Sequence, residues 1–148
     1  MPSASLTFSV HVAAPPEVVF RYVADLSRHG EWAANPLQIE LVSGGPLVNG
    51  NRYRSRAQVR GLRFEAELRV TEYEPPVRFA FEGEDATGKF THQFTFEPQG
   101  QGTRVERKIT FALTLRQWLM FYLLLFPVRF PAGRRAMRLL KAKLEAPV

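Results

Sequence analysis

The sequence predicts an α+β fold, with one antiparallel sheet through the middle of the chain and a long helix near its end. From Ile39 onwards, apolar and polar residues alternate with a period of two for about seventy residues. Glycine and proline turns divide this region into short segments, which is typical of an antiparallel meander. After about residue 112 the period of two is lost, and Met137, Leu140 and Leu144 mark a helical stripe.

Composition limits the class of protein. The 148 residues are enough for one domain with a buried core, and we predict a single domain over 1–148. With 45% hydrophobic and 23% charged residues, the composition is that of an ordinary soluble globular protein. The lack of cysteine excludes disulfides, thiolate metal sites and a cysteine nucleophile. No basic segment followed by an apolar run opens the sequence, and "WLMFYLLLF" has about half the length that spans a bilayer. We therefore expect a cytoplasmic protein.

Two short helices are expected between the first strand and the meander. The segment "SLTFSVHVAA" alternates as a half-buried strand does. Pro16 and Glu17 suit the first turn of a helix, where a missing N–H costs nothing and a carboxylate meets the positive end of the helix dipole. Gly30 and Pro36 bound the loop that contains Trp32.

The C-terminal region predicts two helices with an irregular step between them. We expect a helix over about 115–126 and another over about 132–145. Pro127 and Pro131 are expected to break or kink the chain between these helices, because proline removes a helical hydrogen bond and its ring clashes with the preceding turn.

Two polar residues interrupt an otherwise apolar sheet face. In "KFTHQFTFEP" (89–98), His92 shares its face with phenylalanines, and Arg107 lies between Val105 and Ile109 on the next strand. Pairing about the turn "PQGQG" predicts Phe94 opposite Arg107, with His92 one step diagonal. A buried charge without a partner is costly, so Arg107 must find water, a carboxylate or a ligand anion. The pair is predicted to orient a ligand in a pocket, the alternative being that both side chains reach a cavity mouth or bond to backbone.

The order of the elements, and several segments along nearly the whole chain, resemble the START-like superfamily, specifically its polyketide cyclase/dehydrase and lipid-transport-like proteins. The segments are "VAAPPEVVFRYVAD" (12–25), "EWAANP" (31–36), "GNRYR" (50–54), "LRVTEYEPPVRFAFEG" (68–83), "FTFEPQGQGTRVER" (94–107) and "LLKAKLE" (139–145). The resemblance implies a helix-grip fold, in which a curved antiparallel sheet wraps around the C-terminal helix and leaves a cavity for an apolar small molecule. Members of this superfamily range from carriers and ligand sensors to cyclases.

On this basis we expect an apolar or amphipathic ligand between sheet and helix, with His92 and Arg107 as its polar contacts. An acidic or phenolic head group suits these two side chains. The predicted aromatic contacts are Phe79, Phe81, Phe94, Tyr53, Trp32, Trp118 and Tyr122. Plain core packing is the alternative for most of them, and Trp32 is expected either at the cavity entrance or plugging the end of the sheet.

Two other functions stay open. One is a cyclase or aromatase that uses His92 as an acid/base group. The other is docking on a membrane or a partner chain, including a second copy, through the apolar and basic segment 118–138. Nucleic acid is not expected, because glutamates alternate with the arginines of 52–69. His11, predicted on a polar strand face, and His29, predicted in a turn, are not spaced as metal ligands, and we expect neither metal nor cofactor.

Overall fold

One antiparallel sheet forms the body of the molecule in the computed structural model, which describes residues 3–43, 50–59, 61–85 and 88–146. Within these ranges the sheet has seven strands: β1 (Ser3–Val12), β2 (Leu37–Ser43), β3 (Arg52–Val59), β4 (Leu62–Glu74), β5 (Arg78–Asp85), β6 (Gly88–Gln99) and β7 (Gly102–Ala112). Their order is β1-β7-β6-β5-β4-β3-β2. The predicted meander is confirmed, and the first strand closes it by pairing with the last. Most of the turn expected after β2, over 43–51, lies outside the described residues.

Helical segments follow the first strand and the last strand of the sheet. Helix α1 (Pro16–Ala24) and a 3₁₀ turn (Leu26–Glu31) follow β1, as predicted. After β7 come α2 (Leu115–Met120), a π-helical turn (Phe121–Leu125) and α3 (Phe126–Glu145). No helix in the described part of the chain has the length and apolarity needed to cross a membrane.

The prediction that Pro127 and Pro131 separate two helices is wrong. Both prolines lie within α3, and the irregular step is the π-helical turn that precedes them. Pro127 is the second residue of α3, which follows the π-helical turn directly. Pro131, inside α3, gives up a helical hydrogen bond. The packing of Phe130 and Gly133 on both sides of Pro131 holds this part of α3 against β1.

The core lies between the inner face of the sheet and the helices. Alternate residues of β1 are buried, as the period of two predicts, and His11 is exposed on the outer face. Helix α1 contributes Phe20, whose ring meets Phe79 and Phe96 edge-on at centroid distances of 6.4 and 5.2 Å. Helix α3 contributes Ala136, Met137 and Leu140. The sheet thus grips α3 along one edge and α1 nearer its middle.

Helix α3 is fastened to β1 at two places. Near its middle, Phe130 packs on Phe8 with ring centroids 5.2 Å apart, and Gly133 lies directly over the Phe8 ring. Near its end, Lys141 Nζ donates to the carbonyl oxygen of His11 at 2.7 Å, and the backbone N–H of Ala13 donates to the Glu145 carboxylate at 2.8 Å. These contacts fix the helix axis relative to the sheet.

Gly133→Ala is expected to destabilise the protein. A Cβ at this position would overlap the ring of Phe8, which is itself buried, and overpacking of this kind costs about 1–3 kcal/mol. Urea unfolding of both proteins measures the change. The sign of the change in the free energy of unfolding tests the close approach, because the same substitution at an unhindered helix position stabilises a protein by up to about 1 kcal/mol. A more stable variant would show that α3 does not depend on this close approach.

Candidate ligand-binding site

Arg107 and His92 meet on the inner face of the sheet. In the register of β6 and β7, Phe94 is opposite Arg107 and His92 is opposite Ile109, which confirms the predicted pairing. Arg107 Nη2 lies 2.9 Å from His92 Nδ1 and donates a hydrogen bond to it. Both side chains lie deep in the molecule, although each keeps part of its surface accessible.

Arg107 is a cation surrounded by apolar groups. Its Cζ lies 5.3 Å from the ring centroid of Trp32 and 5.4 Å from that of Phe94, distances at which ring faces stabilise a cation. Burial lowers the pKa of Arg107 to about 10, so the guanidinium is still charged at neutral pH. Among the described residues no carboxylate forms an ion pair with it, and its buried Nε has no hydrogen-bond partner. The site therefore holds a positive charge without a protein counter-ion in the described chain.

His92 is a neutral imidazole in a defined tautomer. Its ring stacks on Phe81 at 4.7 Å between centroids. A guanidinium can only donate, so Nδ1 must accept the bond from Arg107 and the proton lies on Nε2. Burial first, and then the nearby charge of Arg107, hold the pKa of His92 well below its usual value. His92 thus offers an Nε2–H donor and is not a cation at neutral pH.

His29 is a further member of the site that the sequence reasoning missed. The predicted turn folds inward, and the ring lies 4.7 Å from Trp32 and 6.1 Å from Phe94 between centroids. Nε2 donates to the carbonyl oxygen of Val23 at 2.6 Å. Burial lowers the pKa of His29 to about 3, with a smaller contribution from the charge of Arg107. The spacing of Leu26, His29 and Trp32 by three, the period of a 3₁₀ helix, is the signal that identifies this inward face.

Four predicted aromatic residues are gathered around this group. Phe79, Phe81, Phe94 and Trp32 are all buried. Phe79 lies 5.9 Å from Phe81 and 6.1 Å from Phe94 between centroids, and Trp32 lies 6.3 Å from Phe94. Trp32 is buried rather than at an exposed entrance, and its Nε1–H has no acceptor among the described residues. These rings form an apolar wall next to Arg107 and His92.

The other three predicted contacts lie apart from that group. Tyr53 is buried on β3, and three strands separate it from Arg107. Burial raises the pKa of the Tyr53 hydroxyl. Trp118 is half-buried against the core, whereas Tyr122 is 40% exposed and touches Trp118 edge-on at 5.1 Å. The structure does not bring these residues to the Arg107–His92 pair.

The chemistry of the site follows from its hydrogen-bonding groups. Arg107 Nε and Trp32 Nε1 are buried donors with no acceptor in the described chain, and the tautomer of His92 makes its Nε2 a donor as well. Within the same residues, no three histidine, aspartate or glutamate side chains cluster as metal ligands would. A wall of aromatic rings with donors at one place can bind an apolar body that carries acceptor oxygens.

Sheet, gripped helix and inward-facing polar pair together define a helix-grip protein. The family model for polyketide cyclase/dehydrase and lipid transport matches residues 3–145, and the chain belongs to this family. None of the proteins with a curated function matches its sequence.

Solved structures share the fold at low sequence identity. The protein TTHA0849 from Thermus thermophilus has a TM-score of 0.77 and 21% identity, covering 97% of this chain and 98% of its own. Protein CV1439 from Chromobacterium violaceum has a TM-score of 0.74 and 14% identity, covering 97% and 99%. The di-domain ARO/CYC BexL from the BE-7585A biosynthetic pathway has a TM-score of 0.75 and 16% identity, and the match covers 99% of this chain and 51% of BexL.

Acid is expected to destabilise the protein through the two buried histidines. Below their usual pKa of 6.5 both imidazoles take up protons in the unfolded chain, but in the fold His29 stays neutral to about 3 and His92 to well below 6.5. The unfolded chain then binds more protons, so the free energy of unfolding decreases as the pH falls below 6.5. Each histidine contributes at most about 1.4 kcal/mol per pH unit.

Measuring urea unfolding at a series of pH values, from neutral down towards the pKa of His29 at about 3, tests this expectation. His92→Asn is expected to make the decline shallower, because one of the two groups no longer titrates. His11→Asn, on the exposed face of β1, is the matched control and is expected to leave the slope unchanged. An equal slope in the wild type and His92→Asn would contradict the assignment of a neutral His92.

Proposed function

We propose that this protein binds an apolar or amphipathic small molecule between the sheet and the C-terminal helix, with an acceptor head group held by Arg107 and His92. The apolar body would lie against the wall formed by Phe79, Phe81 and Phe94. Membership of a family named for polyketide cyclases, dehydrases and lipid transport supports a ligand of this class.

The unpaired charge of Arg107 is the observation that carries the proposal. Leaving a cation deep in a protein without a counter-ion costs several kcal/mol, and the two aromatic faces recover only part of this. Replacing the residue by an apolar one would remove the cost, so its presence calls for a compensating partner. A bound oxyanion supplies that partner through charge-assisted hydrogen bonds.

The hydrogen-bond donors of the site limit the chemical class of the ligand's head group. Arg107 and His92 present N–H groups, and the only lone pair of His92 is already used by Arg107. A carboxylate, phenolate or enolate oxygen can accept from both, whereas an amine head group would meet a like charge and no acceptor. We therefore propose an oxygen acid, such as a fatty acid or an aromatic acid, as the ligand class.

Binding is favoured over general-base catalysis by the state of His92. A base with a pKa held well below 6.5 takes up a proton weakly, and its basic nitrogen Nδ1 is blocked by the hydrogen bond from Arg107. A cyclase of the kind named in the BexL structure remains the second candidate. In that case His92→Ala would reduce turnover of a polyketide substrate far more than its affinity.

Arg107→Met is expected to reduce affinity for an acid and to spare its neutral analogue. The fluorescent fatty acid cis-parinaric acid and its methyl ester form a suitable pair, because they share the acyl chain and the head group is charged in the acid and neutral in the ester. Charge-assisted hydrogen bonds contribute about 1.5–3 kcal/mol, so affinity for the acid should fall roughly 10- to 150-fold. Fluorescence titration of both probes measures the two affinities.

Arg104→Met is the matched control, because Arg104 lies on the same strand, faces outward and pairs with Glu106. It is expected to bind both probes as the wild type does. Urea unfolding checks that Arg107→Met is folded. We expect its stability to change little, because the cost of burying the charge disappears while His92 Nδ1 loses its hydrogen-bond donor. Equal losses for acid and ester, or no loss for either, would count against Arg107 as the head-group contact.

A further inference from the structure

The segment between the sheet and α3 presents an apolar surface to solvent. None of the residues of α2 is buried. We call the following side chains the apolar ridge: Leu115, Leu119, Met120, Tyr122, Leu123 and Leu124, which are 40–74% exposed. A group of large apolar side chains at this exposure within ten residues is unusual for a surface that faces only water.

The charged side chains of the ridge segment and of α3 as far as Lys143 are all basic. The sequence has no aspartate or glutamate between Glu106 and Glu145. Arg116 lies within the ridge segment, and Arg134, Arg135 and Arg138 follow on α3, all exposed. Leucines flanked by arginines, with no acidic residue among them, match the boundary of an anionic bilayer, where apolar groups enter the acyl region and cations meet lipid phosphates.

Aromatic contacts connect the ridge to the interior. Trp118, Tyr122, Phe126 and Phe130 follow one another at a spacing of four, with successive ring centroids 5.1, 5.8 and 5.3 Å apart. Phe130 in turn packs on the buried Phe8. This row of four rings begins at the exposed ridge and ends in the core. A surface bound to the ridge would therefore be continuous with the apolar interior.

We infer that the apolar ridge and the arginines beside it form a docking surface for an anionic lipid bilayer. A second copy of the chain fits less well, because a two-fold contact would bring the same arginines of both copies together. Nucleic acid fits less well because the protruding groups are leucines. This surface is independent of the head-group site, and vesicle binding requires no interior ligand.

Vesicle flotation tests the inference. The wild-type protein is expected to float with vesicles of phosphatidylglycerol and phosphatidylcholine at low salt, and less with phosphatidylcholine alone or at high salt. Leu123→Glu/Leu124→Glu should reduce the bound-to-free ratio roughly tenfold or more, since two apolar side chains no longer enter the bilayer. Arg134→Gln/Arg135→Gln should reduce binding to anionic vesicles only.

Val77→Glu is the matched control and should leave flotation unchanged. Val77 is 43% exposed in the turn before β5, at the end of the sheet opposite to the one from which α2 leaves. Circular dichroism verifies that each variant is folded. Failure of the wild type to float with anionic vesicles, or undiminished flotation of Leu123→Glu/Leu124→Glu, would overturn the inference. Self-association that this double variant abolishes, without vesicle binding, would assign the ridge to a second copy. Binding only to an acidic protein would likewise overturn the bilayer assignment.

Discussion

The burial of Arg107 without a carboxylate is the constraint on which the interior of this protein depends. Its charge makes the pocket electropositive, and this disfavours a second or third cation nearby. Burial first, and this charge second, lower the pKa of His92 and of His29, so both are neutral imidazoles. Each has one nitrogen bonded to a partner, the Arg107 guanidinium for His92 and the Val23 carbonyl oxygen for His29. Aromatic faces complete the surroundings, because they tolerate a cation without adding a negative charge. Among the described residues, the buried polar atoms of this group that lack a partner, Arg107 Nε and Trp32 Nε1, are both donors.

Much of the sheet side of the site follows from local rules in the sequence. Strict alternation placed His92 and Arg107 on the inner face, and a short turn between β6 and β7 left a single register in which Phe94 faces Arg107. Once that register is fixed, a hydrogen bond between a diagonal histidine and arginine requires only ordinary rotamers. The bond itself and the tautomer that it imposes do not follow from the alternation of the sequence.

The helical side depended on contacts distant in sequence. His29 turns inward together with Trp32, which packs on Phe94 more than sixty residues later. The local spacing of three is compatible with an inward face but does not by itself require one. The two prolines of α3 were misleading for a related reason, since helix propensity gave way to packing against Phe8. Tyr122 is exposed because of the place at which α2 leaves the sheet, and the periodicity of the sequence does not predict that place.

The pairing of β1 with β7 affects how the chain folds while it is being synthesised. In the described sheet β1 has β7 as its only strand partner, over the register from Ser3↔Ala112 to Val12↔Thr103, so it emerges from the ribosome long before that partner exists. At typical elongation rates the delay is roughly 5 to 20 seconds. During this interval the apolar face of Leu6 and Phe8 has no sheet to join. The nascent chain is thus exposed to aggregation and recognisable by chaperones until the last strand is synthesised.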